Sequence, residues 1–255
     1  MVTLKNGLGV KLYKNLLSEY VSVVFYGFDL WWLIGQSNMI GRSAIRAGID
    51  DDYSAIAGKV YQFGYNSQTI TPATNPLDHV NENAGQMGMW LEFVKAILPR
   101  LAKGRRILLV PCAQGDTSLA SNWSPGQAQN NNAKLRLAAA MASGSGTNRL
   151  AGVLWHQGEG DSLTASEHRS RIQAMYDDFI STVPGMSATT PFICGSITSI
   201  LQGSAVINAS LQDFAAANDA VRFVDLSDLP FNGDNIHYTN AALFTAGQRY
   251  GAAVL

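Results

Sequence analysis

The stretch Leu30-Trp-Trp-Leu-Ile-Gly-Gln-Ser-Asn-Met39 decides how the chain is read. Five apolar residues in a row run into Gly35 and then a polar turn, the form of a strand buried on both faces that ends at the carboxyl edge of a sheet. Four more runs of this kind follow, at Lys59 to Phe63, Arg106 to Pro111, Gly152 to His156 and Phe192 to Ile197. Between and after them, Gln86 to Leu98, Ala128 to Ala142, Ala165 to Thr182, Ser204 to Asn218 and Tyr238 to Ala253 carry apolar residues at spacings of three and four. Strands alternating with helical segments predict an α/β domain whose parallel sheet is covered on both faces.

At 255 residues the chain can bury a full core, and no linker divides it. A single domain is expected over residues 29–255, with residues 1–28 as an extension of unclear role. Charged residues make up 15%, against about 25% in an average protein, while 17 Asn and 12 Gln supply uncharged hydrogen-bonding surface. The net charge of -1 leaves no basic field for nucleic acid and no polybasic membrane patch. The apolar stretch Val21 to Ile34 is interrupted by Asp29, too short for a membrane span and without a clear signal-peptide cleavage site. Two strands with a bend at Gly27 explain it better. Cys112 and Cys194 lie inside or beside apolar runs and read as inert buried thiols.

Ligands collect at the carboxyl ends of strands in open parallel sheets, so the residues after each run matter most. They are Gly35-Gln-Ser-Asn-Met39, Cys112-Ala-Gln-Gly-Asp-Thr-Ser118 and His156-Gln-Gly-Glu-Gly-Asp161, joined near the end by Asp234-Asn-Ile-His237. A serine hydroxyl becomes a nucleophile when a base takes its proton and a third group holds that base in one tautomer. Ser37, His237 and Asp234 fit those roles, and the i, i+3 spacing of the last two suits one turn. Gly115 can offer a backbone N–H and Gln157 a side-chain amide to an oxyanion. The Gly-x-Ser-x-Gly elbow of α/β-hydrolases is not satisfied, because Met39 holds its last position.

With these four blocks in this order, the chain resembles the SGNH hydrolases, and among them the carbohydrate acetylesterases related to sialic-acid 9-O-acetylesterase and carbohydrate esterase family 6. The resemblance spans nearly all of residues 29–255 and leaves residues 1–28 unmatched. It implies a three-layer α/β/α fold with a five-stranded parallel sheet in flavodoxin-like order. It also implies removal of O-acetyl groups from a carbohydrate through an acyl-serine, with Ser37, Asp234 and His237 as the triad. The oxyanion donors would be Ser37, Gly115 and Gln157, the last standing where other members have Asn. The third block reads Gly-Glu-Gly-Asp where Gly-Glu-Ser-Asp is commoner, so Gly160 departs from the pattern. In flavodoxin-like order the strands before Cys112 and at Cys194 would flank the fourth, two spacings apart and too far for a disulfide.

Asn38, Trp123 and Glu159 are candidate substrate contacts, Trp123 because its loop neighbours Asn122 and Ser124 suggest an exposed stacking platform. The other tryptophans follow core patterns. Glu159 and Asp161 could each support the histidine or bind a sugar hydroxyl, but fixing their loop by accepting backbone N–H groups is the favoured role. His156 is expected in the core, His79 and His168 on the surface. No cluster has metal-ligand spacing, and no cofactor is implied. An acetylated carbohydrate is the expected partner, without nucleic acid or membrane, and an extracellular or virion-associated setting is favoured. The rival readings are a catalytically silent glycan-binding or adhesin domain and a lipase- or thioesterase-like SGNH hydrolase.

Overall fold

The computed structural model describes residues 11–14, 20–23, 25–81 and 85–254. Within the expected extension, β1 (Lys11–Lys14) and β2 (Tyr20–Val23) pair as an antiparallel ribbon, and most other residues of 1–28 lie outside the described part. Then come β3 (Gly27–Gly35), the single turn α1 (Ser37–Ile40), β4 (Ser43–Ala44), β5 (Val60–Phe63), β6 (Ile70–Pro72), β7 (Gln86–Met87) and α2 (Trp90–Ile97). The second half runs β8 (Arg105–Pro111), α3 (Ala128–Ala142), β9 (Arg149–His156), α4 (Ala165–Thr182), β10 (Phe192–Gly195), α5 (Ser204–Ala216), β11 (Val221–Val224) and α6 (Asn240–Ala253).

The main sheet has seven strands in the order β11-β10-β9-β3-β8-β5-β6, parallel except for the edge strand β6. The five strands β8-β3-β9-β10-β11 keep the flavodoxin-like order, but they are not the five read from sequence. The run at 60–63 lies beyond β8, and Val221–Val224 supplies the other edge of the five. β3 therefore stands between β8 and β9, so Cys112 and Cys194 are separated by three strand spacings, about 14 Å, rather than two. Both are free and buried. Burial pushes each thiol up to about 12.

Side chains alternate along a strand, so β3 feeds two cores. Leu30, Trp32 and Ile34 join the apolar layer that includes Leu137 of α3, Phe179 of α4 and Phe214 of α5. Trp31 and Leu33 join the other layer, with Phe93 of α2 and Leu243 of α6. At the start of this central strand the buried Asp29 takes Arg149 through both oxygens, at 2.6 and 3.0 Å, and pairs with Arg105. The starts of β8, β3 and β9 are tied together there.

The last helix lies tight on α2. A Cβ at Gly247 would stand 2.2 Å from the Met89 carbonyl oxygen, and one at Gly251 2.4 Å from the Ala96 Cβ. These two glycines, four apart on one face of α6, set a close approach that larger residues would prevent. α6 begins two residues beyond His237 at its cap Thr239, whose hydroxyl accepts the Ala242 N–H. Helix packing thereby fixes where the carboxyl-terminal block meets the sheet.

Candidate active site

Gly35 ends β3 at φ 126, in the region that favours glycine, and a Cβ there would sit 2.0 Å from the His156 carbonyl oxygen. The chain turns sharply, and Ser37 opens α1. As the first residue of a helical turn its N–H has no intrahelical partner, and none is found among the described residues. Ser37 Oγ lies 2.8 Å from His237 Nε2, and His237 Nδ1 lies 2.6 Å from Asp234 Oδ2. Asp234 Oδ1 also accepts the backbone N–H groups of Ile236 and His237, at 3.0 and 2.9 Å. Desolvation opposes ionisation of Asp234, but these two N–H groups and the His237 ring outweigh it and hold the carboxyl at about 2. Asp234 thus stays ionised, turns the ring and places its proton on Nδ1, which leaves Nε2 as the acceptor facing the serine.

The triad opens into a cleft of about 270 Å³ walled by Gln36, Arg42, Asn81, Gly115, Asp116, Glu159, Gly160 and Ile236 besides Ser37 and His237. A larger cavity of about 350 Å³, lined by Lys59, Leu101 and Arg106 among others, lies at the amino ends of the strands, away from this chemistry. Arg42, Asn81 and Asp116 were not read from the sequence. Arg42 lies just beyond the cap of α1, five residues after Ser37, and that closeness in sequence is a usable signal. Asn81 sits in a loop whose sequence carries none. Asp116 holds φ 58, unusual for a residue with a side chain, directly after Gly115.

Two expected oxyanion donors have other partners here. The Gly115 N–H lines the cleft and donates to Asn81 Oδ1 at 2.9 Å. Gln157 is fully buried, and its amide nitrogen donates to the Thr117 carbonyl at 3.2 Å and to Asp161 Oδ2 at 2.8 Å. Both of its N–H groups are thus bonded within the protein, and Gln157 is not among the residues that wall the cleft. Asp161 also accepts the Leu119 N–H at 2.9 Å, so it fixes the loop as expected. Burial raises its carboxyl above the usual range.

Of the three candidate substrate contacts, Trp123 and Asn38 lie in the interior and Glu159 at the border of the cleft. Trp123 is fully buried, packed edge-on against Trp155 at a centroid distance of 5.4 Å, with Nε1 donating to Thr117 Oγ1. It is core, because the turn Leu119–Trp123 directs both of its apolar ends inward. Asn38 is buried with both polar atoms of its side chain bonded inside the protein: Nδ2 donates to Glu159 Oε1 and the Ile236 carbonyl, and Oδ1 accepts the Tyr238 N–H. Glu159 borders the cleft but turns its carboxylate to the side chains of Gln36 and Asn38 rather than to backbone N–H groups. Burial opposes its ionisation, yet the His156 ring and the Asn38 amide keep its carboxyl below the usual range. His79 and His168, expected on the surface, are buried, which drives them down to about 3 and about 4. His156 is in the core as read. Gly160 is explained by space, since a Cβ would approach the Thr117 carbonyl oxygen to 2.8 Å.

The profile of the carbohydrate esterase, sialic acid-specific acetylesterase family matches residues 27–255. The chain belongs to this family. It is a carboxylic ester hydrolase of the carbohydrate esterase class. No curated protein matches it in sequence. Among solved structures it is similar to a protein from Arabidopsis thaliana, at TM-score 0.76 and 23% identity, covering 89% of this chain and 97% of that one. It is also similar to NanS, at TM-score 0.72 and 17% identity over 91% and 97%, and to the carbohydrate acetylesterase XAC1771 from Xanthomonas citri, at 0.61 and 16% over 88% and 55%. At these identities the likeness concerns the fold. Among the described residues no helix is long and apolar enough to cross a membrane, and no group of three or more His, Cys, Asp and Glu is placed to hold a metal.

Proposed function

We propose that this carbohydrate esterase removes O-acetyl groups from a glycan through an acetyl-serine at Ser37. The carrying observation is the hydrogen-bonded series from Ser37 Oγ to His237 Nε2 and from His237 Nδ1 to Asp234. His237 takes the serine proton as Oγ attacks the acetyl carbonyl, then gives it to the departing sugar oxygen. The same nitrogen next draws a proton from water, which attacks the acetyl-serine and releases acetate. The Ser37 N–H and the Gly115 N–H are the backbone donors for the oxyanion, which competes with Asn81 Oδ1 for the second of them. Among the described residues, Ile236 is the one large apolar side chain in a wall that also carries amides, carboxylates and a guanidinium. Such a cleft supports a short acyl group on a hydroxyl-rich partner over a long-chain lipid. The family's name makes O-acetylated sialic acid the first substrate to try.

Acetate release across a panel of O-acetylated sialic acids, xylans and bacterial polysaccharides identifies the sugar. Ser37→Ala should lose at least about 10³ in kcat on the best of them. A Ser37→Ala protein of wild-type rate would overturn the mechanism.

A further inference from the structure

We infer that Glu159 is a positioning residue for the nucleophile and base: its buried carboxylate clamps the two side chains that flank Ser37, and through one of them the loop that carries His237. The inference rests on the esterase reading above and adds a residue whose carboxylate is bonded to neither Ser37 nor His237 but to the neighbours of Ser37.

Glu159 has a side chain only 2% exposed. Its Oε2 accepts Gln36 Nε2 at 2.5 Å and its Oε1 accepts Asn38 Nδ2 at 2.5 Å. One carboxylate thus holds the residues immediately before and after the nucleophile. His156 Nε2 stands 3.3 Å from Oε1, and the other nitrogen of that ring lies 3.1 Å from the Tyr250 hydroxyl. The carboxylate is therefore backed by β9 and α6 and is not free to swing into the cleft.

Asn38 carries the constraint across to the base. Its second amide proton goes to the carbonyl of Ile236 at 3.0 Å, and its Oδ1 takes the N–H of Tyr238 at 3.2 Å. These are the two chain neighbours of His237. The single amide of Asn38 thus bridges the nucleophile turn and the base loop, oriented by which of its ends meets the carboxylate. Only an acceptor-only group at 159 satisfies two amide donors at once. A glutamine there presents NH₂ to one of them, setting donor against donor in a buried place, and the bridge loses its alignment.

A displacement of about 1 Å between reacting groups costs about 100-fold in rate, so Glu159→Gln should lower kcat by about that factor and leave KM within about threefold. The experiment compares wild type, Ser37→Ala, Glu159→Gln, Asn38→Ala and the double variant on p-nitrophenyl acetate. Thermal unfolding is recorded for each, together with the rate at which a fluorophosphonate labels Ser37. The expected result is a kcat loss without a KM change in both single variants, slower labelling, and a double variant no worse than the weaker single. Wild-type kcat in a folded Glu159→Gln protein overturns the inference, as does a loss confined to KM, which would make Glu159 a substrate contact. Additive losses in the double variant overturn the route through Asn38. If Glu159→Gln does not fold, Asn38→Ala decides alone: wild-type kcat there refutes the clamp. Lack of turnover by the wild type would instead refute the esterase reading, and the labelling rates, which need no substrate, would still judge the clamp.

Discussion

Replacing Asp234 by asparagine keeps the shape of the triad while reversing one hydrogen bond. In the native turn Oδ1 is held by the N–H groups of Ile236 and His237, and Oδ2 by the His237 ring. An asparagine keeps its oxygen where the two backbone donors are, which turns its NH₂ toward His237 Nδ1. The ring then carries its proton on Nε2, the nitrogen 2.8 Å from Ser37 Oγ, and can no longer accept the serine proton. By analogy with wrong-tautomer triads the loss in kcat is about 10⁴, or about 5 kcal/mol of transition-state stabilisation. The effect on stability is much smaller. The carboxyl is lowered from 3.8 to about 2, which at full strength is roughly 2 kcal/mol. With 46% of the side chain in solvent, screening reduces this to about 1 kcal/mol. The folded value lies below the unfolded one, so this stabilisation is complete above the ordinary carboxyl range and disappears as pH falls through about 2. Steady-state kcat on p-nitrophenyl acetate near neutral pH, with urea unfolding at neutral and strongly acid pH, checks both halves. A kcat loss under about tenfold would refute the tautomer argument, since general-base catalysis alone contributes more than that.

Trp123→Phe should cost about 1 to 3 kcal/mol of stability through the lost Thr117 hydrogen bond and poorer packing on Trp155, with KM for an acetylated glycan unchanged. Unfolding curves beside Michaelis kinetics test it, and a selective rise in KM would return Trp123 to the binding site. Cys112 and Cys194, both fully buried with thiols pushed up to about 12, should resist iodoacetamide in the native protein at mildly alkaline pH and react once it is unfolded. Mass spectrometry of the intact chain reads this out directly, native alkylation being the contrary result.

Much of this architecture is written locally. β3 and most of β8 are apolar runs buried on both faces, and α3 and α4 bury apolar residues at spacings of three and four, Ala133, Leu137 and Ala140 in one and Ile172, Met175, Tyr176 and Phe179 in the other, so each announces itself within its own residues. β11 does not. Its Val-Arg-Phe-Val is four residues long with Arg222 exposed between buried ends, so an edge of the sheet looks like a loop. The hydrogen-bonded series from Ser37 through His237 to Asp234 is legible because Asp234 and His237 share one turn and Ser37 follows a strand, both short-range facts. What a sequence does not carry is direction, which only packing decides. Trp123 has polar neighbours yet points inward, and Gln157 has the right chemistry yet spends it on Thr117 and Asp161. His168 had a readable signal: it shares the stripe of Ile172, Met175 and Phe179 on α4 and is buried with them.

The Asn38 bridge joins positions 200 residues apart in the chain, with bonds to the residues on either side of His237. The centre of the sheet, β3, β8 and β9, is built from residues 27–156, whereas the residues that bond Asn38 lie in the loop just ahead of α6. Bringing Ser37 and His237 together therefore depends on contacts between distant parts of the chain rather than on either local turn alone. A chain cut ahead of Asp234 would leave Ser37 without His237, the ring whose Nε2 stands 2.8 Å from its hydroxyl.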